Sequence, residues 1–125
     1  GAADVLCVEE FEKLGWAVRV ATEDGSLGET GRVTVALDAW LARERADIIP
    51  EFFACGPDGM LKAVSDRAIE GSWKAWLSLD KHMGCGMGAC LACVQRVRAE
   101  DGSVSWARVC REGPVFECRE IVWNV

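Results

Sequence analysis

At 125 residues, half of them hydrophobic, the chain has enough apolar surface for one modest core or two small ones, which excludes a disordered segment. A formal net charge of -6 excludes a general nucleic-acid surface, and no apolar run approaches the roughly 20 residues of a membrane-crossing helix. Seven cysteines, an odd number with no secretory leader before them, argue against a disulfide scaffold and for a reducing cytoplasm.

Taken in order, residues 3–14 carry Val5, Leu6, Val8, Phe11 and Leu14 at near-helical spacing, with Asp4 near the start and Gly15 past the end, so a surface helix is expected. Residues 16–21 read as a short strand, broken by the loop at 22–28. Val35, Leu37, Trp40 and Leu41 make 33–42 a helix. After Pro50, the nearly continuous apolar run at 51–55 has the character of a buried parallel strand. Gly56-Pro57 turns the chain into a helix over 58–70, with Met60, Leu61, Val64 and Ala68 inward. Strands that each enter a helix imply an α/β fold with a parallel sheet.

From Gly71 the pattern changes. Trp73, Ala75, Leu77 and Leu79 alternate with Lys74, Trp76, Ser78 and Asp80, as in a strand or extended linker. Residues 94–99 and 104–110 read as a hairpin around Asp101-Gly102-Ser103, with Val104, Trp106, Arg108 and Cys110 on one face. A last strand over 116–123 would close a small antiparallel sheet. Trp73, Trp76, Trp106 and Trp123 concentrate in this half, where tryptophan supplies area to a small core or to a subunit interface.

Between these strands lies the most informative spacing, Cys85-x4-Cys90-x2-Cys93-x16-Cys110. Its first three members match the plant-type pattern of thiolates that hold a 2Fe-2S cluster. Such a cluster needs several thiolates from one irregular loop and at least one from a distant segment. Gly84, Gly86 and Gly88 alternate through the loop, where they permit backbone angles closed to other residues and leave N-H groups free to face sulfur. The alternative is a zinc-stabilised interaction module, although zinc sites usually show paired CxxC knuckles and only Cys90 and Cys93 form one here. Cys7 and Cys118 fall outside the pattern and read as buried small residues, and His82 as a loop-surface residue.

The run CGMGACLACVQRV, followed by WARVCREGPVF, resembles the C-terminal cluster domain of the electron transfer subunit of type B dihydroorotate dehydrogenase. The resemblance implies that Cys85, Cys90, Cys93 and Cys110 are the cluster ligands. Residues 111–116 also match the family's charged pair, Gly-Pro, hydrophobic and aromatic sequence. Upstream, Cys55-Gly56-Pro57-Asp58-Gly59-Met60 resembles the CGPxxM strand end of ferredoxin-reductase-like nicotinamide domains, which implies that Cys55, Gly56 and Pro57 lie beside a nicotinamide ring. The bland alternative is an ordinary Gly-Pro turn. The loop at 22–28 is similar to the family's TDDGS loop, with Glu23 at one acidic position, and reads equally well as a solvated turn.

What the resemblance implies is a partial ferredoxin-reductase-like nicotinamide domain over 1–72 and a small β-rich 2Fe-2S module over 73–125. The family's flavin-binding barrel and glycine-rich turn have no counterpart here, and residues 1–70 contain no GxGxxG, so the chain reads as the C-terminal half of such a subunit. In the family, electrons from dihydroorotate pass from an FMN-containing catalytic subunit through the 2Fe-2S cluster to FAD and NAD, in pyrimidine biosynthesis. NAD and FAD are therefore implied for the full-length subunit, and the isolated chain is expected to carry electrons without transforming a substrate. Strands that lack their neighbours would leave an edge through which two copies could pair. The small subunit of electron-bifurcating ferredoxin:NADP oxidoreductases is a related possibility, but an aspartate is expected there in place of Cys85. A free-standing ferredoxin would need no strand-Gly-Pro-helix unit before its cluster.

Overall fold

The computed structural model describes residues 1–44 and 48–123. The chain forms two compact units, Gly1–Ile48 and Ile49–Val125. In the first unit a 3-10 turn at Ala2–Asp4 is followed by α1 (Val8–Lys13), β1 (Ala21–Thr22), β2 (Glu29–Thr30) and α2 (Val33–Glu44). The helix expected over 3–14 is thus broken. Cys7 adopts a left-handed φ of 62°, and the regular helix begins only after it. The apolar spacing is helical, but α1 buries none of its residues, and Leu6, Phe11, Leu14 and Trp16 are all exposed. Without a packed face, a helix this short has little to extend it. Cys7 is likewise exposed, contrary to its reading as a buried residue.

Of the strand expected over 16–21, only Ala21 is paired: β1 lies parallel to β2, with Ala21 opposite Glu29 and Thr22 opposite Thr30. The intervening loop is held from within. The buried Thr22 hydroxyl donates to the Leu27 carbonyl at 2.8 Å and accepts the Leu27 N-H at 3.1 Å. Gly28 is obligatory, because its φ is 71° and a Cβ there would stand 2.0 Å from the Val20 carbonyl oxygen. Helix α2 packs on these strands and buries Ala36 and Leu41.

In the second unit, β3 (Glu51–Cys55), α3 (Asp58–Glu70) and β4 (Lys74–Ser78) follow one another, and β3 and β4 pair in parallel from Glu51 opposite Lys74 to Cys55 opposite Ser78. The alternation read from the sequence decides which face of β4 is covered: Ala75, Leu77 and Leu79 are at most 2% exposed. Leu61, Val64 and Ala68 of α3 are buried with them, and Ser65 on the same face donates to the Cys118 carbonyl at 3.4 Å. Removing a leucine side chain from water contributes about 1.5–3 kcal/mol, so this face holds the unit together.

Three more strands complete it. β5 (Val94–Arg98) and β6 (Val104–Arg108) form the expected hairpin, α4 (Val109–Glu112) follows, and β7 (Val115–Glu117) pairs antiparallel with β4. β4 is thus a central strand, not a linker leaving the sheet. The final strand expected over 116–123 is shorter because the tail serves two sheets in turn. Residues 115–117 lie on β4; beyond them the Arg98 N-H donates to the Glu120 carbonyl at 2.7 Å, and the Val122 N-H to the Arg96 carbonyl at 3.0 Å. Buried Gln95 adds a side-chain bond to the Val122 carbonyl at 3.0 Å. Both sides of the division expected at 72/73 therefore lie in one sheet, since β3, β4 and β7 are hydrogen-bonded neighbours, and the compact units divide at 48/49 instead.

Candidate metal centre

The loop that carries the first three cysteines leaves β4 under restraint. The Leu79 N-H donates to the Pro114 carbonyl at 2.9 Å, and Lys81 Nζ lies 2.6 Å from Asp58 Oδ2 in the first turn of α3. Beyond these anchors the backbone is irregular. Gly86 has φ 66° and Gly88 φ 87°, while Leu91 is driven to φ 57° despite its side chain. A Cβ at Gly86 would meet nothing, so glycine is needed there only for its backbone angle. At Gly84 the reason is contact: a Cβ would stand 3.1 Å from Cys90 Sγ.

The four spaced cysteines stand as two pairs. Cys85 Sγ accepts the N-H groups of Ala89 at 3.3 Å and Cys90 at 3.4 Å. These donors, with Cys90 contributing most and Met87 adding to them, pull the Cys85 thiol down to about 6, so it is a thiolate at neutral pH. In the second pair, buried Cys93 accepts the Cys110 N-H at 3.5 Å, and the Val109 N-H donates to the Cys93 carbonyl at 3.0 Å. The Cys110 backbone and thiol hold Cys93 below the usual thiol range. Cys110 is raised in turn, first because its thiol donates to Cys93 and then by burial. The Cys85 charge adds to that rise, so the two pairs interact.

This arrangement bears on which metal group the donors fit. Thiolates in two pairs suit a group with two irons, and N-H groups directed at sulfur are what tune such a cluster. The donor set fits the cluster.

Cys110 lies on α4, not on the return strand. β6 ends at Arg108, whose backbone N-H donates to the Glu112 carboxylate one turn on at 2.5 Å, and α4 begins at the next residue. The sequence pattern marks Arg108 and Glu112 only as strand and loop residues. The signal that could have found them is their i, i+4 spacing immediately before Gly113-Pro114. Gly113 itself is fixed by crowding, since a Cβ would lie 2.6 Å from the Phe116 ring.

The Cys55-Gly56-Pro57 turn stands at the carboxyl end of β3, level with Ser78 at the end of β4, on the side where open parallel sheets take ligands. Cys55 is exposed. The space beside Gly56 is filled: a Cβ there would lie 2.5 Å from the Met60 methyl group, so the glycine makes room for that thioether. Pro57 directs its carbonyl into α3, accepting the N-H groups of Met60 and Leu61. In the other unit, the loop at 22–28 satisfies its own polar groups. The Ser26 hydroxyl and N-H hold Asp24 down to about 2. Cys118 is buried as expected, its thiol pushed up first by desolvation and then by Glu117. His82 is exposed. No helix among the described residues is long and apolar enough to cross a membrane.

Residues 80–122 match the family described as the iron-sulfur cluster binding domain of dihydroorotate dehydrogenase B. The chain is 41% identical over 120 residues to the dihydroorotate dehydrogenase B (NAD(+)) electron transfer subunit of Caldanaerobacter subterraneus subsp. tengcongensis, covering 96% of this chain and 46% of that one. To the subunit of the same name from Bacillus mycoides it is 42% identical over 120 residues, covering 95% and 43%. Among solved structures, a chain of an NADH-dependent reduced ferredoxin-NADP oxidoreductase studied for flavin-based electron bifurcation matches with a TM-score of 0.71 and 32% identity, over 93% of this chain and 39% of its own. The chain thus spans less than half the length of the curated relatives it matches. It is a relative of the electron transfer subunits of dihydroorotate dehydrogenase B, and the match to their iron-sulfur cluster binding domain falls on the segment that holds all four paired cysteines.

Proposed function

We propose that this chain is the cluster-bearing part of an electron transfer subunit, holding a 2Fe-2S cluster through Cys85, Cys90, Cys93 and Cys110. In the longer subunit it would link the FMN of a dihydroorotate-oxidising partner to FAD and NAD, in cytoplasmic pyrimidine biosynthesis. The observation that carries the reading is the pairing of the four cysteines, with Cys85 already held as a thiolate, inside the matched segment. When bound, a 2Fe-2S cluster supplies one-electron exchange, which suits it to work between flavins.

The protein's own contributions are positional. Gly84, Gly86 and Gly88 let the loop turn its N-H groups towards sulfur, and the β5–β6 hairpin returns Cys110 to Cys93. Cys55, Gly56 and Pro57 would form one wall of a nicotinamide site, with the flexible Met60 thioether giving way to the ring. FAD would be held by parts of the longer subunit. β3 has no strand on its outer side among the described residues, and that edge is where a homodimer of the isolated chain would form.

Met83, Met87 and Leu91 are 51%, 72% and 60% exposed around the loop, apolar side chains on a chain of net charge -6. They support docking of the catalytic subunit over this loop. Met87→Glu in the full-length subunit is therefore expected to weaken copurification with that partner, leaving the visible spectrum and NADH-driven reduction of an artificial acceptor unchanged. Normal copurification and normal dihydroorotate-to-NAD electron flow in the variant would place the docking surface elsewhere. The similarity to the bifurcating oxidoreductase favours a second reading, a subunit exchanging electrons between NAD(P)H and ferredoxin. Cys85, where that class is expected to have aspartate, weighs against it. The two separate on one experiment: dihydroorotate should reduce the assembled cluster in the first case, and only NAD(P)H or reduced ferredoxin in the second.

A further inference from the structure

We propose that Arg108 and Glu112 form a charge pair that sets the reduction potential of the cysteine site: Arg108 is a positioning residue that pins the Gly88 peptide and presents a cation at the cysteine loop, and Glu112 offsets that cation. The inference rests on the cluster reading above and goes beyond its ligand set. Arg108 ends β6, and its Nη1 donates to the Gly88 carbonyl at 3.3 Å, bridging from the hairpin to the middle of the cysteine loop. The approach is close, since a Cβ on Gly88 would stand 3.3 Å from the same nitrogen. The guanidinium is held at the other side by Glu112, with Nε 3.1 Å from each carboxylate oxygen and Nη2 donating to Oε1. Glu112 also accepts the Arg108 backbone N-H at 2.5 Å, so one carboxylate fixes both the side chain and the start of the helix that carries Cys110. A planar fork held this way keeps its direction, as a lysine would not.

The contact at Gly88, between Cys85 and Cys90 in the loop, and the position of Arg108 two residues before Cys110 place the cation beside the cysteine site. Reduction of a cluster there adds negative charge, so a nearby cation favours the reduced form and an anion disfavours it; charge around the cluster and hydrogen bonding are recognised determinants of its potential. The pair is nearly neutral overall, so removing either half alone should move the potential, and in opposite directions. Arg108 and Glu112 side chains are 40% and 38% exposed, so the shifts should shrink as salt is raised.

The test is a redox titration of the cluster-loaded chain, followed by visible absorption and by the electron paramagnetic resonance signal of the reduced state. Glu112→Gln should raise the midpoint potential, because the guanidinium is then uncompensated. Arg108→Gln should lower it and speed loss of iron to a chelator, because the Gly88 peptide is released. Arg108→Lys should keep the potential near that of the parent while still losing iron faster. Midpoints unchanged in both Gln variants, or shifted in the same direction, would overturn the proposal. Should Arg108→Gln fail to take up iron, the Glu112→Gln midpoint decides alone: an upward shift supports the pair and no shift refutes it. A parent chain that binds no iron and sulfide would overturn the cluster reading itself, a result distinct from loaded variants with unmoved potentials.

Discussion

Cys110→Ala is expected to abolish retention of the cluster while leaving the chain folded. Cys110 is the proposed ligand from a distant segment, and its N-H and thiol both face Cys93. Without it, the Cys93 side of the site has one thiolate where a two-iron cluster needs two. Alanine is the best helix former and suits α4, so the backbone that carries the position should survive. Visible absorption should fall to the baseline, and Cys85→Ala, Cys90→Ala and Cys93→Ala should behave alike. Cys7→Ala removes an exposed thiol and Cys118→Ala a buried one, and both should keep the spectrum, with Cys118→Ala losing some stability. An intact spectrum in Cys110→Ala would contradict the assignment and move the fourth ligand to Cys118.

The other large effect lies in the sheet. Leu77 is fully buried in β4, paired to β3 on one side and β7 on the other, and β4 runs directly into the cysteine loop. Leu77→Ala is expected to cost about 2–5 kcal/mol, because the substitution removes buried apolar surface and leaves a cavity in its place. Small domains have only about 5–15 kcal/mol in total, so much of the stability of the second unit would go. Urea denaturation followed by tryptophan fluorescence measures this directly, with Trp73 and Trp76 reporting from the same stretch. Phe53→Ala, on the 77% exposed side of β3, should stay within about 0.5 kcal/mol of the parent. A comparably small change for Leu77→Ala would mean that β4 is not the centre of the unit.

What could be read in advance was whatever depends on near neighbours. The run Glu51–Cys55, the Gly-Pro turn and the helix Asp58–Glu70 fall where apolar continuity and turn chemistry put them, but β3 is not the buried strand expected: its residues alternate exposed and half-buried, with Phe53 77% exposed. The alternation from Trp73 to Asp80 likewise names the buried face of β4. The irregular loop from Gly84 to Cys93 was legible because its alternating glycines mark backbone angles closed to other residues. What escaped depends on groups that meet only after folding. Cys110 is on a helix because the Glu112 side chain turns back to Arg108, and alternation alone carried the return strand through it. The tail leaves β4 after Cys118, whose N-H still donates to the Ala75 carbonyl at 2.8 Å, because β5 then takes over its hydrogen bonds, and no local pattern marks that exchange. At Gly56 the absence of a side chain makes room for the Met60 methyl group from the next turn, a packing no local pattern announces. The helix expected over 3–14 failed for the opposite reason, since its apolar residues are spaced correctly but α1 buries none of them.

Whether the paired cysteines serve redox chemistry or structure is decided by metal and sulfide analysis of the purified chain, read beside its visible spectrum. About two iron and about two acid-labile sulfide per chain, with a coloured protein bleached by reduction and zinc near zero, is the expected result. A colourless chain with about one zinc and no sulfide would contradict it.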